Sequence, residues 1–164
     1  MQGRVLQINV SSGGIPKRPI PFGVITTLGL EGDGHHHPQI HGGPRQALLL
    51  IAAEVIEDLK ARGYPIEFGS LGENITMQGI DPAQLRLDQI LRVGTAVVQL
   101  TKVRVPCSTL DVCGRGIQSE MYDSQVKAGD PSSPNWGKSG FYARVLEPGV
   151  VTAGDIISVE ATFA

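Results

Sequence analysis

Cys107 is the side chain in this sequence with the clearest capacity for covalent chemistry. It follows Pro106, which comes directly after a segment rich in β-branched residues at positions 97–105. Proline ends the strand that this run predicts, because it has no N–H to donate to a sheet. Ser108 is a good N-cap for a following helix, and a thiol near a helix N-terminus is favoured as the reactive thiolate. We predict that Cys107 is a reactive thiol; a buried, inert cysteine is the alternative.

The neighbours of Cys107 bear on this prediction. Lys102 and Arg104 are cations that favour a thiolate, but on a straight strand Arg104 would point to the face opposite Cys107. Cys113 lies six residues after Cys107, and on a helix that spacing separates two side chains by roughly 240° around the axis. A disulfide between the two is therefore not expected, and Cys113 is interpreted as structural.

A polar loop at residues 29–44 holds all four histidines and five glycines. A loop of this length in a compact domain is usually functional or disordered. Imidazole and carboxylate groups suit zinc, iron or nickel, although their spacing here matches no strong metal motif. The candidate ligands are Asp33, His35, His37 and His41. Histidines that cap backbone groups or face water are the alternative. We also predict that residues 32–44 close over the same site as Cys107.

Composition restricts the fold class and the partners. Hydrophobic residues make up 41% of the 164 residues and aromatic residues only 5%, which predicts one domain with an aliphatic core. The 21 glycines and 11 prolines favour many short strands over a helical bundle. A net charge of −2 without a basic run argues against nucleic acid. No apolar run approaches the ~20 residues of a membrane span, and no signal-peptide pattern is found, so a cytoplasmic location with reduced thiols is expected.

Short apolar runs separated by turns predict a mainly β fold, a closed or partly closed barrel with one or two peripheral helices. The predicted strands are residues 3–10, 22–28, 46–51, 87–93, 96–105, 140–146 and 155–159. The best helix is residues 52–62, a weaker helical pattern covers 117–126, and 149–153 is predicted to be a turn.

Two of these strands carry more detailed expectations. In the first strand, Leu6, Ile8 and Val10 are predicted to form the apolar face. In the strand at 96–105 the apolar pattern changes face, which predicts a bulge or sharp bend near Thr101 and Lys102.

Several short motifs, taken in order, resemble the MOSC domain, named after the C-terminal domain of molybdenum-cofactor sulfurase. The motifs are Gly32-Asp33 with the histidine-rich loop, His41-Gly42-Gly43-Pro44, Gly72-Glu73-Asn74-Ile75, Pro106-Cys107, Tyr142-Ala143-Arg144-Val145, and Gly149 with Gly154-Asp155. The chain looks most like the compact stand-alone bacterial members. The resemblance implies a barrel-like β fold and a single MOSC domain over residues 1–164.

The resemblance also implies a function. A cysteine, matched here by Cys107, would carry sulfur as a persulfide or contact the molybdenum of a pyranopterin cofactor. Family members are linked to cofactor sulfuration and to reduction of N-hydroxylated compounds. The sequence shows no cysteine-desulfurase, iron–sulfur or flavin domain, so sulfur or electrons are expected from a separate protein. The residues expected around molybdopterin are Asp33, His35, His41, Gly42, Gly43, Arg45, Glu73, Asn74 and Arg144.

A phosphate on such a pterin requires local positive charge in a chain that is slightly acidic overall. Arginine presents a planar fork of donors that matches a phosphate, which makes Arg45 and Arg144 candidates, together with backbone N–H groups beside Gly42 and Gly72. Two function classes stay open. One is a cofactor-binding or sulfur-carrier module that acts through Cys107. The other is a metal-dependent enzyme built on Asp33, His35 and His41, in which Cys107 is incidental.

Overall fold

The structure, a computed structural model, describes residues 1–34 and 43–160. Within these residues the chain forms eleven strands and three α-helices. The strands are β1 Gln2–Val10, β2 Arg18–Ile20, β3 Phe22–Thr26, β4 Gly29–Leu30, β5 Leu48–Ala52, β6 Ile75–Gln78, β7 Ile90–Val93, β8 Ala96–Val103, β9 Phe141–Glu147, β10 Gly149–Thr152 and β11 Ile156–Val159. The helices are α1 Ala53–Ala61, α2 Ile117–Met121 and α3 Ser124–Lys127, with 3-10 helices at Pro44–Gln46, Pro82–Gln84 and Ser108–Cys113.

Seven strands close into a barrel in the order β11, β7, β8, β9, β5, β6, β1, with β1 pairing back onto β11. β2 extends this sheet along β1, and β10, β3 and β4 form a separate three-stranded sheet. The β5–β6 pair is parallel, and its crossover connection runs through α1, as a parallel pair requires. The mainly β, barrel-like fold expected from the sequence is confirmed.

Aliphatic side chains fill the inside of the barrel, because residues along a strand alternate between its two faces. Leu48, Leu50 and Ala52 of β5 point inward together with the inward residues of the other strands. These include Val5, Ile8, Ile75, Met77, Leu91, Val93, Val98, Leu100, Phe141, Ala143, Val145 and Ile157. The core is aliphatic, as the low aromatic content predicts.

A second apolar cluster covers the outer face of β5 and β9. Leu49, Ile51 and Tyr142 pack there against side chains of α1, α2, the 3-10 helix at Ser108–Cys113 and residues 64–71. These partners are Ile56, Leu59, Ile66, Leu71, Leu110, Cys113, Ile117 and Met121. β5 is thus buried on both faces, which explains its continuous apolar sequence, LLLIA.

Bulges decide which side chains face the core in two strands. The pairing of β8 with β9 shifts register between Leu100 and Lys102, which confirms the predicted bulge at Thr101. The pairing of β1 with β6 also shifts, between Val5 and Gln7. Val5 and Ile8 therefore both face the barrel interior. The predicted apolar face of β1 is wrong at Leu6, because strict alternation does not continue through a bulge.

Other boundaries differ from the sequence expectations. The predicted turn at residues 149–153 is wrong: it contains β10, which pairs with β3. β8 ends at Val103, two residues before the predicted end, and the helical pattern at 117–126 becomes the two short helices α2 and α3. No helix in the described ranges is both long and apolar enough to cross a membrane.

Candidate functional site

Cys107 stands between the end of β8 and the 3-10 helix at Ser108–Cys113. Its backbone is extended, with φ −124° and ψ 172°, and it occupies the N-cap position that the sequence assigned to Ser108. The side chain is half-buried, and its Sγ lies 2.7 Å from the hydroxyl oxygen of Thr109. Val105 and Val112, on either side in sequence, are exposed. The thiol is therefore accessible at the rim of the outer apolar cluster, whereas Cys113 is buried within that cluster.

Arg104 lies beneath this rim, close to Cys107. From the sequence, its side chain was expected on the face opposite Cys107, which is wrong. Its backbone N–H donates to the Gly140 carbonyl at 2.8 Å, and its carbonyl accepts from the Ser139 hydroxyl at 2.6 Å. Its side chain is only 4% exposed. The charge of Arg104 interacts with Tyr142 and Cys107. The straight-strand expectation fails because β8 has already ended at Val103.

The guanidinium of Arg104 is buried without full hydrogen bonding. Among residues 1–34 and 43–160, its Nε and Nη1 have no hydrogen-bond partner. Burial lowers its pKa, and the nearby ionisable groups of Tyr142, Cys107, Glu73 and Cys113 oppose this effect. Lys102 adds a second cation nearby, with Nζ 5.6 Å from the centre of the Tyr142 ring. Positive electrostatic potential from Arg104 and Lys102 is therefore concentrated on the buried side of the Cys107 thiol.

Glu73 is a fully buried carboxyl group close enough to Arg104 for the two charges to interact. Its Oε1 accepts from the N–H of Gly69 at 2.5 Å and from the Thr76 hydroxyl at 3.0 Å. Its Oε2 has no partner in the described part of the chain. Burial raises the pKa of Glu73, which favours its neutral form. Gly69 has φ 93°, and a Cβ there would lie 2.3 Å from the Lys17 carbonyl oxygen, so only glycine fits this turn.

Asp33 is held in a buried ion pair. Its side chain is 2% exposed, and its Oδ1 accepts from Lys17 Nζ at 2.6 Å and from the backbone N–H of Ser11 at 3.0 Å. Its Oδ2 accepts from Asn74 Nδ2 at 2.8 Å. These three donors give Asp33 a structural role, because they tie the start of the histidine-rich loop to the segments after β1 and before β6.

Asn74 connects the same network to the barrel. Its Oδ1 accepts from the N–H of Leu49 at 3.0 Å, and its Nδ2 also donates to the Asn9 carbonyl at 3.3 Å. Asn74 and Asp33, both predicted from the sequence, are therefore brought into contact, and Glu73 is adjacent to Asn74 in the chain. Through these hydrogen bonds, Asn74 links β1 to β5.

Arg45 and Arg144 lie on the surface. The carbonyl of Arg45 accepts from the Thr101 hydroxyl at 2.6 Å, so its backbone rests against the bulge of β8. Arg144 Nε donates to Gln99 Oε1 at 2.7 Å, four residues before the end of β8. Gly43, with φ 84°, is exposed before the 3-10 helix. Arg45 thus lies beside the part of β8 that leads to Cys107, whereas Arg144 lies beside an earlier part of β8.

The predicted metal ligands are only partly covered by the structure. His35, His37, His41 and Gly42 lie outside the described residues. No group of three or more His, Cys, Asp or Glu side chains suited to a metal ion occurs within residues 1–34 and 43–160. The metal site built on Asp33, His35 and His41, and the closure of residues 32–44 over Cys107, therefore stay predictions.

The fold and the site together define a β-barrel domain with an accessible thiol at a strand end and a buried guanidinium behind it. The chain belongs to the MOSC domain family: the model of the MOSC domain matches residues 37–158. This match confirms the resemblance found in the sequence.

Relatives and solved structures agree with this assignment. The chain is 32% identical over 145 residues to the uncharacterized protein YflK of Bacillus subtilis, covering 86% of this chain and 60% of YflK. It is 30% identical over 138 residues to the protein YiiM of Escherichia coli, covering 79% of this chain and 55% of YiiM. Among solved structures, YiiM from Geobacillus stearothermophilus has a TM-score of 0.70 and 26% identity, covering 97% of this chain and 75% of that one. The chain thus spans between about half and two thirds of the length of these curated relatives.

Proposed function

We propose that this chain is a molybdenum-cofactor-associated domain in which Cys107 carries sulfur as a persulfide or contacts molybdenum through its thiolate. The MOSC family is associated with the molybdenum cofactor, which supports the cofactor class. The observation that carries the proposal is an accessible thiol beside a buried guanidinium whose Nε and Nη1 have no partner in the described residues. An anionic ligand at this position satisfies those orphaned donors, so the residues present fit the cofactor.

The chain's own residues would prepare the thiol. The charges of Arg104 and Cys107 interact, and a thiolate is both the nucleophile and the soft ligand that these roles require. The Thr109 hydroxyl, 2.7 Å from Sγ, restricts the orientation of the side chain. When bound, the cofactor supplies a molybdenum centre that accepts sulfur or exchanges electrons. In the carrier role, the Cys107 thiolate attacks the outer sulfur of a donor persulfide, the donor's S–S bond breaks, and the donor leaves as a thiolate.

The partners follow from the same proposal. Sulfur or electrons would come from a separate donor protein, and the pterin cofactor would be the small-molecule partner. Arg45 and Arg144 remain predicted contacts to the pterin phosphate, and Asp33, Glu73 and Asn74 would shape the pocket wall.

The metal-enzyme alternative has weaker support. Its carboxylate ligand, Asp33, already accepts from Lys17, Ser11 and Asn74. A metal ion at Asp33 would have to displace or share these donors, and it would lie beside the positive charge of Lys17. Stoichiometric zinc or iron that depends on His35 and His41 would favour this alternative over the cofactor proposal.

The proposal is tested by transfer of sulfur to the protein. After incubation with a persulfide donor, we expect mass spectrometry to show one added sulfur atom on wild type and on Cys113→Ala, but none on Cys107→Ala. The melting temperature of Cys107→Ala should change little, because its side chain is only half-buried. The same three proteins are then analysed for bound molybdenum and pterin. Sulfur on Cys113, or neither sulfur nor cofactor on wild type, would contradict the proposal.

A further inference from the structure

We propose that Arg104 binds a tetrahedral oxyanion, such as a phosphate group, in a buried site that it shares with Glu73 behind Cys107. The inference deepens the proposed function. It rests on that function only where it assigns the oxyanion to the molecule that reacts at Cys107. The site itself is argued from burial, unmet hydrogen bonds and charge.

The Arg104 side chain is buried with unmet hydrogen-bonding capacity. It is 96% buried, and its Nε and Nη1 are both without a partner in residues 1–34 and 43–160. A guanidinium keeps its charge in proteins and carries five donors but no acceptor. Burying such a group without compensation is strongly unfavourable, so these two unmet donors point to a ligand. Nε and Nη1 lie on different edges of the planar guanidinium, and each forms with Nη2 an edge that matches two oxygens of a phosphate-like anion.

Glu73 is close to Arg104 without being hydrogen-bonded to it in the described residues. Its Oε1 is already engaged by Gly69 and Thr76, and its Oε2 has no partner in the described chain. Burial favours the neutral carboxyl group, whose O–H is a donor. The protonated form of Glu73, which burial favours, has one more hydrogen bond to offer to the same oxyanion.

The guanidinium of Arg104 lies close to groups from several different elements. The ionisable groups whose charges act on Arg104 are Tyr142, Cys107, Glu73 and Cys113. They belong to β9, the 3-10 helix and the segment before β6, so the guanidinium lies where these elements meet. The nearby Lys102, over the Tyr142 ring, adds positive potential. An oxyanion held there would lie next to the accessible thiol of Cys107.

Charge-selective alkylation of Cys107 tests the site directly. Iodoacetate is an anion and iodoacetamide is its neutral analogue. Because both react with the thiolate, the ratio of the iodoacetate rate to the iodoacetamide rate does not depend on how exposed or how ionised the thiol is. All proteins carry Cys113→Ala, because residues 105–115 form one tryptic peptide that contains both cysteines. We expect a rate ratio about five- to tenfold above that of free cysteine, the effect of one nearby charge.

Variants and competing anions identify the residue responsible. Arg104→Gln should lower the ratio to that of free cysteine, and Arg104→Lys should restore it in part. Arg92→Gln, which removes an exposed arginine on β7, should leave it unchanged. Inorganic phosphate should slow alkylation of the parent protein but not of Arg104→Gln. Equal slowing by glycerol 3-phosphate assigns the site to phosphate esters, and slowing by inorganic phosphate alone assigns it to a free oxyanion.

The parent protein alone decides the inference, even if Arg104→Gln fails to fold. A ratio equal to that of free cysteine, without slowing by either anion, would overturn the oxyanion site. If Cys107 nevertheless accepts sulfur or the cofactor, only this inference fails. If the ratio is raised but neither sulfur nor cofactor is found, the oxyanion site stands and the proposed function fails.

Discussion

Asp33 and Glu73 show two different ways of burying a carboxyl group in one protein. Asp33 forms an ion pair with Lys17, and two further donors complete its hydrogen bonding. Glu73 has no such cation in direct contact, keeps one oxygen without a partner in the described chain, and has its pKa raised by burial. A buried group of the first kind supports the fold, whereas one of the second kind is typical of a binding site.

The titration of Glu73 predicts a pH-dependent stability. Its pKa is raised above the ordinary 4.5, so the folded state holds the proton more tightly than the unfolded chain does. Its contribution is complete below the unfolded pKa and is lost as pH rises through the folded pKa. Glu73→Gln cannot ionise, so its free energy of unfolding should improve relative to wild type as pH rises above the ordinary pKa of 4.5.

Urea unfolding at several pH values measures this difference. Glu147→Gln, which removes one exposed carboxylate, controls for the change in net charge. A difference between Glu73→Gln and wild type that stays constant with pH would mean that Glu73 is ionised in the folded protein throughout the range.

The bulge in β8 links three elements around the site. Thr101 Oγ1 lies 2.6 Å from the Arg45 carbonyl and 3.2 Å from the Tyr142 carbonyl, so its one hydroxyl proton lies between the 3-10 helix at Pro44–Gln46 and β9. The register shift at this residue redirects the end of β8, and the chain then continues to Arg104 and Cys107. The bulge therefore contributes to the placement of both side chains at the site.

Thr101→Val tests the contribution of this hydroxyl. Valine keeps the shape and the preference for a strand but removes the donor, and we expect a loss of about 0.5–1.5 kcal/mol in the free energy of unfolding. Thr152→Val, at an exposed position of β10, is the matched control and should change stability by about 0.5 kcal/mol or less. Equal stabilities of the two variants by urea unfolding would show that the bulge does not depend on the Thr101 side chain.

The barrel is closed by strands from opposite ends of the described chain. Residues Gln2, Gly3 and Arg4 of β1 pair with Ser158, Ile157 and Ile156 of β11. β11 also pairs with β7, so it is a barrel strand with neighbours on both edges. A closed barrel has no free edge, and its interior packing depends on every strand, including this last one.

Two adjacent isoleucines of β11 test the contribution of barrel closure. Ile157 is fully buried inside the barrel, whereas Ile156 is 48% exposed. Ile157→Ala should lower the free energy of unfolding by about 2–5 kcal/mol through lost burial and a cavity. Ile156→Ala should cost about 1 kcal/mol or less. Similar losses for both, measured by urea unfolding, would show that β11 does not contribute to the barrel core.

The positions of most barrel strands, and the strand end before Cys107, could be predicted from local patterns. Alternating or continuous apolar runs indicated β5, β7, β8, β9 and β11, and the glycine after the helical run indicated the end of α1. The change of face in β8 indicated its bulge, and Pro106 indicated the strand end before Cys107. Each of these signals lies within a few residues of the feature it predicts, which is why the residues alone were enough.

The site around Arg104 depends on contacts between distant parts of the chain. Arg104 is buried because Ser139 and Gly140 bind its backbone and because Tyr142 and Glu73, far away in sequence, adjoin its side chain. The strand face on which Val5 lies, and the pairing of β10 with β3, likewise depend on the partner strands. The period-2 pattern of β1 did not indicate its bulge, and no local pattern reports which distant strand will pair. The burial of Arg104, and with it the oxyanion site, is therefore decided only when the barrel has closed and the outer layer has packed against it.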